Sequence, residues 1–194
     1  MENLIWTEYL KTSSFLKEFL NKNNQVGAIA PSSKYLTKKM MGNLSLSEAK
    51  TVVELGPGTG VFTKKLLELI GPKTKLLVIE INTSFYNNLK QQFSDPRLTL
   101  VNGSATDLSH YLKQLRLSQA DIIISSLPLA VLPSFLRNRI VLSASDALSK
   151  DGKYIQFQYT LQSQKMLEKV FSTVKIKSCL LNIPPAFVYT CSKE

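Results

Sequence analysis

Short apolar runs and amphipathic stretches alternate along this chain. Thr51–Leu55 (TVVEL), Lys75–Glu80 (KLLVIE) and Ala120–Ser125 (ADIIIS) are continuous apolar runs, and residues 97–101 and 154–159 extend the series. Such runs mark strands buried on both faces. Helical periodicity fills the intervals at residues 61–70, 83–93, 107–114 and 133–147, and returns at 163–171. Gly71-Pro72 stops the first of these helices, and Pro133 suits the first turn of the fourth. Lys150-Asp151-Gly152 reads as a turn. Two more helices are predicted ahead of the first strand, over residues 4–20 and 34–41, with Gly42-Asn43 ending the second. Residues 173–180 and 187–191 are expected to pair antiparallel across Asn182-Ile183-Pro184-Pro185.

Strand and helix in strict alternation imply an α/β fold with a doubly wound, mostly parallel sheet. Residues 1–44 form an N-terminal helical segment and 45–194 the main unit, effectively one domain with a sizeable core. Ligands of such sheets sit beyond the carboxyl ends of the strands. Four segments meet there: residues 54–60, Glu80, residues 102–107 and residues 125–129.

Chemistry concentrates in the first of them. Val52-Val53-Glu54-Leu55-Gly56-Pro57-Gly58-Thr59-Gly60 joins a buried strand to a helix. Glycine lets the backbone turn sharply and approach a ligand that a Cβ would repel. The helix then aims its free N–H groups at that ligand. The dinucleotide fingerprint is G-x-G-x-x-G, whereas this turn is G-x-G-x-G with Glu54 two residues ahead; a P-loop is absent. The tighter spacing resembles the first motif of class I S-adenosylmethionine (SAM) methyltransferases. Glu80, twenty residues beyond Gly60 at a strand end, can accept both ribose hydroxyls of a nucleoside. Glu54 either orients the turn, contacts the SAM amino group, or does both.

Composition narrows the partners. The net charge of +10 over 194 residues points to an anionic partner: nucleic acid, an acidic membrane surface or an anionic small molecule. No run of about eighteen apolar residues is present to span a membrane. The N-terminal MENLIWTEYLK is acidic and amphipathic and is not expected to be a signal peptide. Cys179 and Cys191 fit no metal spacing and are expected as reduced cytosolic thiols; with His110 the single histidine, no metal is expected.

The substrate side is read at Ser125-Ser126-Leu127-Pro128-Leu129. Enzymes that methylate exocyclic nitrogens of nucleobases carry N/D-P-P-Y or N-L-P-Y here. The polar side chain and a backbone carbonyl accept the amino group, and the aromatic ring stacks on the flipped base. Stacking is worth about 1–3 kcal/mol per base. This chain offers Ser125 and, in place of the ring, Leu129, which counts against a nucleobase. The first helix carries Trp6 and Tyr9 on a wide apolar face with Lys11 among its cations, a pattern suited to a membrane interface or to packing on the sheet.

Residues 15–20 (FLKEFL), 26–33 (VGAIAPSS), 52–63 (VVELGPGTGVFT), 125–129 (SSLPL) and 182–188 (NIPPAFV) together resemble the bacterial SAM-dependent phosphatidylethanolamine N-methyltransferase family, a relative of the rRNA adenine dimethyltransferases. The likeness covers nearly the whole chain. It implies a class I, Rossmann-like sheet of seven strands, mostly parallel with an antiparallel last strand. It also implies SAM as cofactor, held by Glu54, Gly56, Pro57, Gly58, Thr59, Gly60, Glu80, Ile81, Gly103, Ser104, Ala105, Ser126 and Leu127. Ser104 stands where that family often has an Asp on the adenine amino group.

The substrate implied is the amine of phosphatidylethanolamine, methylated toward phosphatidylcholine by a monomer docked peripherally on the inner face of an anionic membrane. Tyr35, Ser125 and Tyr159 are the candidates to hold the amine, and Ser32, Ser33, Lys34 and Lys38 the candidates for the lipid phosphate or for closing over SAM. Nucleic acid is not the expected partner. An rRNA or nucleobase methyltransferase, a small-molecule methyltransferase and a non-catalytic SAM or lipid sensor remain alternatives.

Overall fold

The computed structural model describes residues 31–193. The helix expected over residues 4–20, with Trp6, Tyr9 and Lys11, lies outside them. Seven strands, β1 Thr51–Leu55, β2 Lys75–Glu80, β3 Leu98–Asn102, β4 Ala120–Ser125, β5 Leu148–Gln158, β6 Thr173–Cys179 and β7 Ala186–Ser192, make one sheet of order β3-β2-β1-β4-β5-β7-β6. Strands β1 to β5 pair in parallel, and β7 runs antiparallel between β5 and β6. This is the sheet that the alternation and the resemblance predict. Around it lie α1 Pro31–Met41, α2 Val61–Leu69, α3 Thr83–Gln92, α4 Leu108–Gln114, α5 Ser134–Ala147 and α6 Gln164–Val170.

The central strands are apolar because each is covered twice. Successive side chains point to opposite faces. On one face Val52, Leu76, Val78, Ile122 and Ile124 pack against Leu36, Met40 and Met41 of α1 and Phe62 and Leu66 of α2. On the other, Val53, Leu55, Leu77, Ile79 and Ile123 meet Leu108 and Leu112 of α4 and Ile140, Val141 and Ala144 of α5. Each such side chain contributes about 1.5–3 kcal/mol. Cys179 and Cys191 are free thiols within these cores.

Several boundaries differ from expectation, and α1 begins at Pro31 rather than at residue 34, which takes Ser32 and Ser33 into the helix. The strand expected at 154–159 starts earlier, at Leu148, which pairs with Ala120; Lys153 then pairs with Ile122. Residues 149–152 therefore bulge opposite Asp121, so the expected Lys150-Asp151-Gly152 turn is an irregularity inside a strand. Asp121 is occupied there, accepting from the backbone N–H groups of Lys50 (2.7 Å) and Thr51 (3.0 Å) and so fixing the start of β1. The helix expected from residue 107 is preceded by a 3₁₀ turn, Ala105–Asp107. Pro133 sits one residue ahead of α5 as its N-cap.

Arg97 closes the end of α2. Its guanidinium donates to the carbonyls of Leu67 (2.7 Å), Ile70 (2.9 Å) and Gly71 (3.4 Å), and to the Asp95 carboxylate (2.8 and 3.0 Å). Leu67 is in the last turn of the helix and Ile70 is its C-cap, where carbonyls lack partners within the helix, and a cation there also suits the helix dipole. Arg97→Ala is expected to cost about 1–3 kcal/mol, seen as a lower midpoint in thermal unfolding. Arg97→Lys should recover only part, because an ammonium cannot span several carbonyls.

Candidate functional site

The turn from β1 into α2 is built on three glycines in the left-handed region, Gly56 (φ 69°), Gly58 (φ 56°) and Gly60 (φ 84°). Two are glycines for packing as well. A Cβ on Gly56 would lie 2.6 Å from the Leu127 side chain, and one on Gly60 would lie 2.7 Å from Leu89 and Phe93. At Gly58 a Cβ would meet nothing within 4 Å, so backbone at the turn's apex faces open space. Pro57 accepts from the Gly60 N–H (3.0 Å), closing the turn over Thr59.

Two buried carboxylates support it. Glu54 Oε2 accepts from the Thr63 hydroxyl (2.6 Å) in the first turn of α2, while Oε1 is buried with no hydrogen-bond partner among the described residues. Burial pushes the Glu54 pKa up to about 8; the Thr63 hydrogen bond opposes this, and the charge of Glu80 adds to it. Glu80 accepts from the backbone N–H of Gly58 (3.1 Å) and of Asn82 (2.8 Å). Burial raises its pKa too, against the lowering effect of those N–H groups. The carboxylate expected for a ribose thus also ties the end of β2 to the apex of the turn. Ile81 follows it, half-buried.

After β3, Gly103 donates to the Glu80 carbonyl (3.0 Å). Ser104 Oγ lies 2.8 Å from the Thr106 hydroxyl and accepts the Thr106 N–H (3.2 Å), so it caps the 3₁₀ turn that buried Ala105 begins. The side chain expected to meet an adenine is engaged with its own loop.

The end of β4 departs most from expectation. Ser125 is fully buried, with Oγ 3.4 Å from the Leu127 N–H and beside the Tyr154 hydroxyl. Ser126 Oγ is buried and without a hydrogen-bond partner among the described residues. The Leu127 carbonyl accepts from the Gln156 amide (3.0 Å) and the Gln158 amide (2.9 Å). Gln158 Oε1 in turn accepts from Ala130 N–H (3.1 Å), and Gln156 Oε1 from the Tyr154 hydroxyl (2.7 Å). A carbonyl has two lone pairs, and both are taken. Leu129, at the position of the stacking ring, is fully buried in the core.

Thr63, Gln156 and Gln158 were not among the residues expected here. Gln156 and Gln158 lie on the strand face that Tyr154 buries in the core, so each needs a buried partner.

Tyr159 stands 42% exposed just beyond β5, edge-on to Phe157 at 5.7 Å, with its hydroxyl hydrogen-bonded to the side chain of Asn182. Burial raises its pKa, so it can donate a hydrogen bond but is a poor base at neutral pH. Tyr35, Lys34 and Lys38 are exposed on α1, and Ser32 and Ser33 fall in that helix's first turn. No group of three or more metal-ligating side chains occurs among the described residues.

The donors and acceptors fit SAM. An orphaned carboxylate oxygen on Glu54 suits its ammonium group, Glu80 keeps free lone pairs for ribose hydroxyls, and the open apex at Gly58 admits close approach.

Comparisons with known proteins agree. The sequence model of the ribosomal RNA adenine dimethylase family matches residues 12–143. An ornithine lipid N-methyltransferase from Singulisphaera acidiphila is 29% identical over 91% of this chain and 93% of that protein. A ribosomal RNA small subunit methyltransferase A from a Hydrogenobaculum species is 28% identical over 76% of this chain, which spans only 52% of that protein's length. Among solved structures, the N-methyltransferase NodS from Bradyrhizobium japonicum in complex with S-adenosyl-L-homocysteine superposes with a TM-score of 0.65 at 14% identity, over 83% of this chain and 87% of that one. That likeness shows the fold.

Glu54 makes the ligand-free protein sensitive to pH. Its folded pKa of about 8 stands above the ordinary 4.5. Between these values the unfolded chain releases the proton and the folded one keeps it, so stability falls as pH rises through the window. The cost is about 3 kcal/mol by pH 7. Thermal midpoints of the ligand-free protein from pH 5 to 8 should show that decline, and Glu54→Gln should flatten it. Parallel slopes would mean Glu54 is already ionised in the free protein.

Proposed function

The chain belongs to the ribosomal RNA adenine dimethylase family of SAM-dependent methyltransferases, and within that family we propose that it methylates the amine of a membrane lipid: phosphatidylethanolamine and its methylated forms, toward phosphatidylcholine. The observation that carries this reading is the end of β4. A nucleobase amine needs a free carbonyl acceptor and a stacking ring there. Here the Leu127 carbonyl is filled by Gln156 and Gln158, and Leu129 is core. The likeness to an ornithine lipid N-methyltransferase over nearly the full length of both chains supports a lipid acceptor.

When bound, SAM supplies an electrophilic methyl group on its sulfonium, which a neutral amine takes up. The chain's own residues serve mainly to position the partners. Glu54, Glu80 and the glycine turn hold the cofactor. Tyr159 and Tyr35 orient the head group by hydrogen bonding, and Lys34 and Lys38, with Ser32 and Ser33, receive its phosphate. No helix among the described residues is long and apolar enough to cross a membrane. The protein acts as a peripheral monomer at the inner face of the membrane, drawn there by its positive charge.

Labelled SAM with vesicles containing phosphatidylethanolamine, with vesicles containing ornithine lipid, and with 16S-type ribosomal RNA separates the readings. The expected product is mono-, di- and trimethylated phosphatidylethanolamine, formed faster when anionic lipid is present. Label only in ornithine lipid would move the substrate to another lipid amine. Label only in RNA would overturn the lipid reading.

A further inference from the structure

The hairpin between β6 and β7 turns its polarity inside out. Loop tips are ordinarily polar. Here Leu180, Leu181 and Ile183 are 74%, 65% and 85% exposed, whereas Asn182 between them is 4% exposed. Asn182 is the internal staple. Its amide donates to the Pro184 carbonyl (2.6 Å), its backbone N–H to the Cys179 carbonyl (3.2 Å), and its side chain bonds the Tyr159 hydroxyl. The loop's one polar side chain thus holds the loop in place, and its apolar side chains project outward. Tyr159 and Leu161, 42% and 45% exposed, lie on the segment just after β5.

Position and charge say what the tip meets. β6 and β5 are both antiparallel to β7, so they run the same way as β1 and β4. The tip therefore stands at the carboxyl end of the sheet, the end that carries the glycine turn, Glu80 and residues 125–129. Lys175 and Lys177 are exposed on β6. They alternate onto the sheet face of Cys179, which packs with Leu36 and Met40 of α1, and α1 carries exposed Lys34 and Lys38. Apolar side chains at the apex, with cations set back along the flank, match a bilayer: acyl chains beneath, anionic head groups beside.

We propose that the Leu180-Leu181-Asn182-Ile183 tip inserts into an anionic lipid surface and brings the mouth of the site to the membrane. This deepens the lipid reading of that site and rests on it for its purpose, but docking can be measured without turnover.

The test uses the full chain and vesicles of phosphatidylglycerol and phosphatidylcholine, which hold no amine acceptor. Wild type is expected to co-sediment with them, and Leu180→Ser/Leu181→Ser/Ile183→Ser to bind at least tenfold more weakly. The variant should keep its SAM affinity and thermal midpoint, since the replaced side chains are exposed. Ile183→Cys carrying an environment-sensitive fluorophore should shift its emission to the blue on vesicles and be quenched by shallow spin-labelled lipid, the native cysteines being shielded by burial. Undiminished vesicle binding by the triple variant, or an unshifted emission, overturns the proposal. So does a wild-type dimer lost in the triple variant without vesicle binding, which would assign the tip to a second copy of the chain. Insertion without lipid methylation would overturn the function proposed above and leave this one standing; methylation without insertion would do the reverse.

Discussion

The site depends on a glycine-rich stretch of backbone held by two buried carboxylates. Left alone, three positive-φ glycines within five residues would be a floppy turn, because glycine surrenders the most conformational freedom on ordering. Glu54 ties the turn's far side through Thr63, and Glu80 ties its apex through Gly58. Each carboxylate belongs to the end of a different strand, so β1, β2 and α2 are fixed relative to one another by the hydrogen bonds that shape the cleft. Carboxylates buried this deeply are costly, and their raised pKa values express that cost. The groups that line the cleft are thereby positioned by the folding of the sheet itself, with Glu54 keeping its proton in the ligand-free protein.

A second layer of organisation lies across β4. Gln156 and Gln158 converge on one carbonyl, that of Leu127, and Tyr154 backs the first of them. The side chain of Leu127 sits where a Cβ on Gly56 would fall. The glutamine pair therefore sets the height of the loop that roofs the glycine turn. Filling that carbonyl takes only two amide hydrogen bonds. It leaves that carbonyl without a lone pair for a further donor.

Much of this was legible in the chain. β1, β2 and β4 have the expected bounds because they are buried on both faces, which forces an unbroken apolar run. β3 begins one residue later than read, and as an edge strand its residues are only half-buried or exposed, so pattern constrains it less. The bulge at residues 149–152 could not be read, since Lys-Asp-Gly has the same composition in a turn and in an interrupted strand. The glycine turn and Glu80 were visible because few residues can stand there. Ser104 and Ser125 were ambiguous for the opposite reason: a hydroxyl suits a ligand and a neighbouring loop equally well, and here each accepts a backbone N–H of its own loop. Gln156 and Gln158 were silent because alternation along Tyr154-Ile155-Gln156-Phe157-Gln158 looks like a strand with one solvated face, until Tyr154 on that face is seen to lie in the core.

The sheet also carries an order of assembly. β7 is later in the chain than β6 yet lies between β6 and β5. Until residues 186–192 arrive, β5 has an open edge and β6 has no sheet to join. A nascent chain that has made β1 to β5 thus exposes a long strand edge whose polar groups can pair with any passing strand. Seven late residues close that gap, so during synthesis they act as the gatekeeper against misassociation.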